Sequence, residues 1–309
     1  MSDAARNWVT GLHAAAVELF TTLDGAGRAE STPWERPGGG GGVACRITGG
    51  SLFEKAGINR SAVHGELTAE LARVLASSVG GATHFFATGL SLVAHPWSPR
   101  VPTVHLNVRY FELLGADGTL MDYWYGGGTD LTPTWPHASD ARHFHTVLRD
   151  LCNRHAASFY PRFKQACDEY FVNSHRGHEP RGVGGIFFDH LRAGSEGMPA
   201  PALHAFVNDV GHVLDAAYRP IVERRRDEPW DESDRALQLF RRGRYAEFNL
   251  LHDRGTLFGL RTGARIDSIL MSLPPLAAWP AEPEFAAGSP GARLAEMLAP
   301  QVWADLGAG

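Results

Sequence analysis

Leu90-Ser91-Leu92-Val93-Ala94-His95 and Val104-His105-Leu106-Asn107-Val108-Arg109-Tyr110-Phe111 decide the fold. In the first, Leu90, Leu92 and Ala94 alternate with Ser91, Val93 and His95. In the second, Val104, Leu106, Val108 and Tyr110 alternate with His105, Asn107, Arg109 and Phe111. A period of two belongs to a strand, whose successive side chains point to opposite faces. Pro96, Pro99 and Pro102 punctuate the connection, so the two stretches read as an antiparallel hairpin with a longish loop. A third strand, around Leu120 to Tyr125, runs into Gly126-Gly127-Gly128. On the second strand His105, Asn107 and Arg109 share one face, where an imidazole, an amide and a guanidinium are costly to bury unpaired. Ser91 and His95 share a face of the first strand. A register that aligns the two faces gathers five polar groups on one patch. Alternation alone does not fix that register, and a solvent-facing strand is the competing reading.

Outward from the hairpin, Trp8, Leu12, Ala15, Leu19 and Leu23 recur at helical spacing and Gly25 and Gly27 end that helix. Pro33 to Gly42 reads as a flexible lid or a tight connection. Leu67, Leu71, Val74 and Leu75 mark a second helix. Helical pattern returns from about Asp140 to Phe159 and from Tyr160 to Asn173. A glycine-flanked strand follows at Gly185 to Asp189, and then a helix through Leu203, Phe206, Val207, Val210, Leu214 and Ala217. Three short strands are expected to close the fold: Tyr245 to Leu251, Thr256 to Arg261 and Ile266 to Leu273, the last apolar on both faces and therefore buried on both sides. Strands in two runs with helices grouped around them predict an α+β fold rather than a repeating βαβ wind.

The 309 residues are read as a single domain, 1–309. The formal charge of -5 and pI near 6.3 lack the basic excess of a general nucleic-acid binder. Cys45, Cys152 and Cys167 form neither a disulfide framework nor a zinc pattern and read as reduced cytosolic thiols. Met1 to Trp8 has no signal or transit character, and no apolar run approaches the roughly 20 residues that span a bilayer, so a cytoplasmic protein is expected. The 35 glycines and 15 histidines mark backbone that turns tightly or approaches a ligand, and acid–base or metal chemistry.

Four histidines stand out: His95, His105, His145 and His175. His145 lies on an inward helix stripe with Leu148 and Cys152, and His175 sits beside Arg176. Their spacing matches no compact metal motif, and each alone reads first as a hydrogen-bonded core or surface residue. Gly126-Gly127-Gly128-Thr129-Asp130 and Arg181-Gly182-Val183-Gly184-Gly185 can cradle an anion with backbone N–H groups, but neither has the strand–GxGxxG–helix context of a dinucleotide site. Arg241-Arg242-Gly243-Arg244 reads as a solvated helix end. Arg265, in a turn between strands, is open to either carboxylate binding or turn chemistry.

These segments together resemble the oxygen-dependent coproporphyrinogen III oxidase family. The likeness runs from Trp34 to Trp279. It rests on the segments 53–59 (FEKAGIN), 102–110 (PTVHLNVRY), 126–133 (GGGTDLTP), 181–189 (RGVGGIFFD), 242–250 (RGRYAEFNL) and 268–274 (SILMSLP), with Tyr170-Phe171 and His175-Arg176 between. One departure is His190, where the family usually has a second aspartate. The resemblance implies a large antiparallel sheet flanked by helices on both faces, and a homodimer, here expected to be held by the Tyr245 to Pro280 region. It implies oxidative decarboxylation of the A- and B-ring propionates of coproporphyrinogen III by O2, giving protoporphyrinogen IX, CO2 and H2O2, with no haem, flavin or nicotinamide. It further implies a divalent metal cation, such as manganese, on His95, His105, His145 and His175. Substrate contacts are implied at Ser91, Asn107, Val108, Arg109, Gly263, Ala264 and Arg265, and His105 is the implied proton donor. The residue reading adds Asp189, at the end of an apolar strand, as the carboxylate that acts as base or stabilises a pyrrolic cation. Two rivals stand beside this: a metal-dependent oxygenase or hydrolase built on the four histidines, and a tetrapyrrole carrier without activity.

Overall fold

A computed structural model describes residues 2–74, 80–261, 265–281, 283 and 285–304. The helix α1 (Ser2–Asp24) turns Val9, Leu12, Ala16, Phe20 and Leu23 inward and stops before Gly25, whose φ of 78° suits glycine. Six strands follow in meander: β1 (Arg28–Glu35), β2 (Gly40–Thr48), β3 (Phe53–Glu66), β4 (His84–Pro96), β5 (Thr103–Leu114) and β6 (Leu120–Thr132), with α2 (Ala69–Val74) between β3 and β4. After α3 (Ala138–His155) and α4 (Phe159–Tyr170) come the two-residue strands β7 (Val172–Asn173) and β8 (Glu179–Pro180), then β9 (Gly184–Leu191), which returns beside β6. The result is a seven-stranded sheet, β1-β2-β3-β4-β5-β6-β9, antiparallel at every pair. The remainder is helical: α5 (Ala200–His212), α6 (Leu214–Ala217), α7 (Arg219–Arg225), α8 (Glu232–Leu251), α9 (Arg254–Arg261), α10 (Ile266–Ile269) and α11 (Pro290–Leu298). The expected α+β fold is what the chain adopts.

One face of the sheet, with Ile58, Leu90, Leu92, Val104, Leu106 and Val108, packs against α1, α3 and α5 in the main core. The opposite face carries the odd-numbered residues of β5. Over it lie α2, beside the Phe85, Phe111 and Trp124 cluster, and α8, whose Phe248 meets Phe171 and Phe187. Helices thus flank both faces.

The segment from Pro33 to Gly42 takes the second of its two expected readings, a tight connection: Trp34 pairs with Gly42 and Glu35 with Gly41, and a tight turn closes through Arg36 N to Gly40 O at 2.8 Å. Three expectations are corrected. The three closing strands are helices. An Asp231–Asp234 capping box starts α8, and the run continues through Tyr245 to Leu251 with Phe240, Arg244 and Phe248 buried at four-residue spacing. Asp253 caps the next helix by accepting from Thr256 N at 2.7 Å, and Ile266, far from buried on both sides, is 60% exposed. Short apolar runs fit both periods, and here the caps decide. Arg265 therefore precedes a helix rather than joining strands. The Arg241 cluster is not solvated either: Arg242 pairs with Glu54 at 2.6 Å, Arg244 with Glu179 at 3.2 Å, and Arg241 also with Glu179, all three arginines buried.

Candidate active site

The register places the hairpin's polar residues on one face, because residues directly opposite in a ladder share a face. Three rungs cross the sheet. One runs Gly57, Val93, His105, Asp130, Gly185; the next runs Asn59, Ser91, Asn107, Gly128, Phe187; the third runs Ser61, Gly89, Arg109, Gly126. His95 lies on the same face, opposite Lys55. Val108 turns its side chain into the core, fully buried, so only its backbone borders this face. Gly126-Gly127-Gly128 does not form a free anion cradle; it continues β6, all three paired to β5 and Gly127 and Gly128 also to β9, whose start, Gly184-Gly185, pairs Leu131 and Asp130.

On the first rung His105 Nδ1 lies 2.8 Å from Asp130 Oδ1, and Arg181 Nη2 reaches both oxygens of the same carboxylate at 2.7 and 2.8 Å. Burial alone would raise the Asp130 carboxyl; the charge of Arg181 and the hydrogen bonds from His105 and Arg181 outweigh it and hold it below the usual range. An ionised Asp130 only accepts, so His105 Nδ1 carries the hydrogen it donates and Nε2 is the nitrogen left for chemistry. Arg181 in turn stacks over Phe171 at 4.0 Å and Tyr245 at 4.7 Å.

On the third rung Arg109 Nη2 meets Asp189 Oδ2 at 2.7 Å. Burial pushes the Asp189 carboxyl up, but Arg109, through its charge and hydrogen bond, and His190, through its ring and backbone N–H, bring it below the usual carboxylate range. The register between β6 and β9 slips by one residue here, Gly127 opposite Phe188 but Tyr125 opposite Leu191. In that bulge His190 takes φ 51°, donates its N–H to Asp189 Oδ1 at 2.9 Å and stacks its ring on Trp124 at 4.9 Å. Asp189 is thereby aimed at Arg109 and kept ionised.

The four histidines do not meet. His95 is buried, with Nε2 2.9 Å from Ser272 O. His145 stands on the other side of the sheet, between Tyr160 OH at 3.0 Å and Val183 O at 2.9 Å, and burial pushes it down to about 4. His175 bonds His252 Nε2 at 2.7 Å and Glu247 at 2.9 Å on the surface. Among the described residues no three histidine, cysteine or acidic side chains stand where they can hold one ion. The four do not fit a single metal centre within this chain.

Arg265 stands at the start of a strap, residues 265–273, that crosses the site face over β3 and β4. Asn59 Nδ2 donates to Ser268 O at 3.0 Å, Lys55 Nζ to Leu273 O at 2.8 Å, and Met271 packs above Gly57, where a Cβ would sit 2.5 Å from its Cγ. Gly263 and Ala264 lie outside the described residues. Sequence reasoning placed Asp130 and Arg181 only in glycine-rich anion cradles, not as partners of each other or of His105, and did not single out Lys55. Asp130 was legible as the residue that ends a glycine run on the strand beside His105. For the partners of Arg181 and Lys55 the sequence holds no signal, since they lie on distant segments.

A glycine-floored sheet face that pairs a half-buried arginine with a low carboxylate, beside a histidine oriented by a buried aspartate, is chemically suited to acid–base work on an anionic substrate. The sequence model of the Coproporphyrinogen III oxidase family matches residues 4–303 of this chain. The chain belongs to the coproporphyrinogen III oxidase family and is an enzyme of porphyrin biosynthesis.

Proposed function

We propose that the enzyme uses O2 to convert the A- and B-ring propionates of coproporphyrinogen III to vinyl groups, releasing protoporphyrinogen IX. The observation that carries this reading is the family match over 4–303; the site face supports it residue by residue. For each propionate the carboxylate leaves as CO2, a hydrogen leaves the carbon next to the pyrrole, and the electrons reduce O2 to H2O2.

Arg109 is the carboxylate receptor, its planar fork suited to a propionate. Asp189, kept ionised, stabilises positive charge that develops on the pyrrole, and it can take the N–H proton once a propionate draws Arg109 away. His105 hands over or takes a proton at Nε2. Ser91 and Asn107 line the rung between the His105 and Arg109 rungs, and Arg265 brings a further contact from the strap; Gly263 and Ala264 are carried over from the family resemblance alone. No step runs through a metal, and the dispersal of the four histidines gives a metal-dependent oxygenase or hydrolase no support. Among the described residues no helix is long and apolar enough to cross a membrane.

We further propose a homodimer through the Tyr245 to Pro280 region. Ile266 to Leu273 is not the two-sided strand that the sequence suggested, so it offers no strand pairing to a second copy. Among the described residues, six of the eleven exposed large apolar side chains fall here: Leu250, Leu251, Leu260, Ile266, Leu276 and Trp279.

The test is to mix enzyme and coproporphyrinogen III without oxygen, then admit oxygen and follow product and peroxide. Product and peroxide should rise together only after oxygen enters. Binding without oxygen uptake would leave a carrier instead.

A further inference from the structure

Among the buried side-chain oxygens around this face that have no hydrogen-bond partner among the described residues are Asn59 Oδ1, Asn107 Oδ1 and Ser268 Oγ. They are not scattered. Asn59 pairs with Ser91, and Ser91 with Asn107, so both amides stand on one rung, two strand spacings or about 10 Å apart. Ser268 lies over Asn59, whose Nδ2 donates to Ser268 O at 3.0 Å. That bond fixes the amide's orientation, because only the –NH2 end can donate to a carbonyl. The end of Asn59 left over is its oxygen. A buried acceptor without a donor destabilises a fold, so two on one rung, with an unpaired hydroxyl above them, call for donors from outside.

The substrate of the reading above, on which this inference rests, offers two kinds of polar group. Its carboxylates carry no donor at neutral pH, repel carbonyl oxygens and belong with the arginines. Its pyrrole N–H groups are its only donors. We propose that Asn59 Oδ1 and Ser268 Oγ, with Asn107 Oδ1, form an acceptor row for the pyrrole N–H groups of the reduced macrocycle. Asn59 and Ser268 are then substrate contacts in addition to the residues the family resemblance implies. Asn59 works at both ends: Nδ2 secures the strap and Oδ1 receives the macrocycle. The row also discriminates by oxidation state. A porphyrin has half the N–H donors of a porphyrinogen, and its remaining ring nitrogens present lone pairs to the row, so the oxidised macrocycle is disfavoured.

The test is anaerobic titration of wild type, Ser268→Ala and Asn59→Ala with coproporphyrinogen III and with coproporphyrin III, read by tryptophan fluorescence, with a thermal melt of each protein. Ser268→Ala removes a hydroxyl that the free protein does not use, so it should melt with wild type. It should bind coproporphyrinogen about five- to tenfold more weakly with its affinity for coproporphyrin unchanged. Asn59→Ala should lose at least as much. A folded Ser268→Ala that keeps wild-type affinity for both ligands, or loses both equally, overturns the proposal; if Asn59→Ala does not fold, Ser268→Ala alone decides. A wild-type protein that binds neither macrocycle would instead remove the functional reading itself.

Discussion

Arg109 and Asp189 form an ion pair at 2.7 Å although their strands, β5 and β9, are not neighbours. The strand between them makes this possible by carrying glycine. A Cβ on Gly126 would stand 2.5 Å from Arg109 Nε and 2.9 Å from Asp189 Oδ1. Gly126→Ala should therefore push the pair apart while leaving the ladder intact. A lost charge-assisted contact is worth about 1.5–3 kcal/mol, so KM for coproporphyrinogen III should rise roughly 10- to 150-fold with a small change in melting temperature. Steady-state kinetics at wild-type KM would show that the pair is not part of recognition.

Removing the arginine alone should move the titration of Asp189. In the wild type the folded carboxyl lies below its unfolded value of about 3.9. The pair therefore contributes stability that is present above that value and lost as pH falls through the folded one. Arg109→Gln leaves burial with less to oppose it, so the carboxyl should titrate at higher pH and this stabilising contribution should shrink or change sign. Carbon-13 titration of the Asp189 carboxyl in both proteins checks this. An unchanged titration would mean that Arg109 does not set the charge of Asp189.

Asp130 holds His105 in the tautomer with hydrogen on Nδ1, while also neutralising buried Arg181. Asp130→Asn should cost turnover of order 10²–10⁴, and stability by about 3–5 kcal/mol because Arg181 loses its partner. Nitrogen-15 spectra of the His105 ring separate the two effects. If the folded variant keeps both the tautomer and the turnover, Asp130 serves Arg181 alone.

Leu251 is 55% and Trp279 57% exposed, at positions where a second copy of the chain is proposed to dock. Charged substitutions at both, Leu251→Glu and Trp279→Glu together, should convert a dimer to monomer in sedimentation at low micromolar concentration. A wild-type chain that sediments as a stable, active monomer at that concentration would remove the proposal.

The β4–β5 hairpin was legible because strict alternation over Leu90 to His95 and Val104 to Phe111 has one structural reading, and its aligned register brings Ser91 opposite Asn107. The stretch from Tyr245 to Leu273 was not, because its apolar runs are short enough to suit either period and Asp231, the cap that starts α8, lies 14 residues upstream of Tyr245. The Arg241 cluster looked solvated because Glu54 and Glu179, which neutralise it, are far away in the chain. His105, Asn107 and Arg109 could be found from one strand. The Asp189 bulge, the Asp130–Arg181 pair and the latch of Lys55 on the strap each need the assembled sheet.

The Arg109–Asp189 corner of this face is proposed to carry oxygen-dependent chemistry on coproporphyrinogen III. Asp189→Asn keeps the shape but can neither accept the pyrrole proton nor offset a developing positive charge. The direct measurement follows oxygen uptake after an oxygen pulse onto the anaerobic complex of this variant, with anaerobic affinity and a thermal melt on the same preparation. The account predicts a folded protein that still binds substrate and turns over about 10²–10⁴-fold more slowly. A folded Asp189→Asn enzyme that takes up oxygen at the wild-type rate would contradict it.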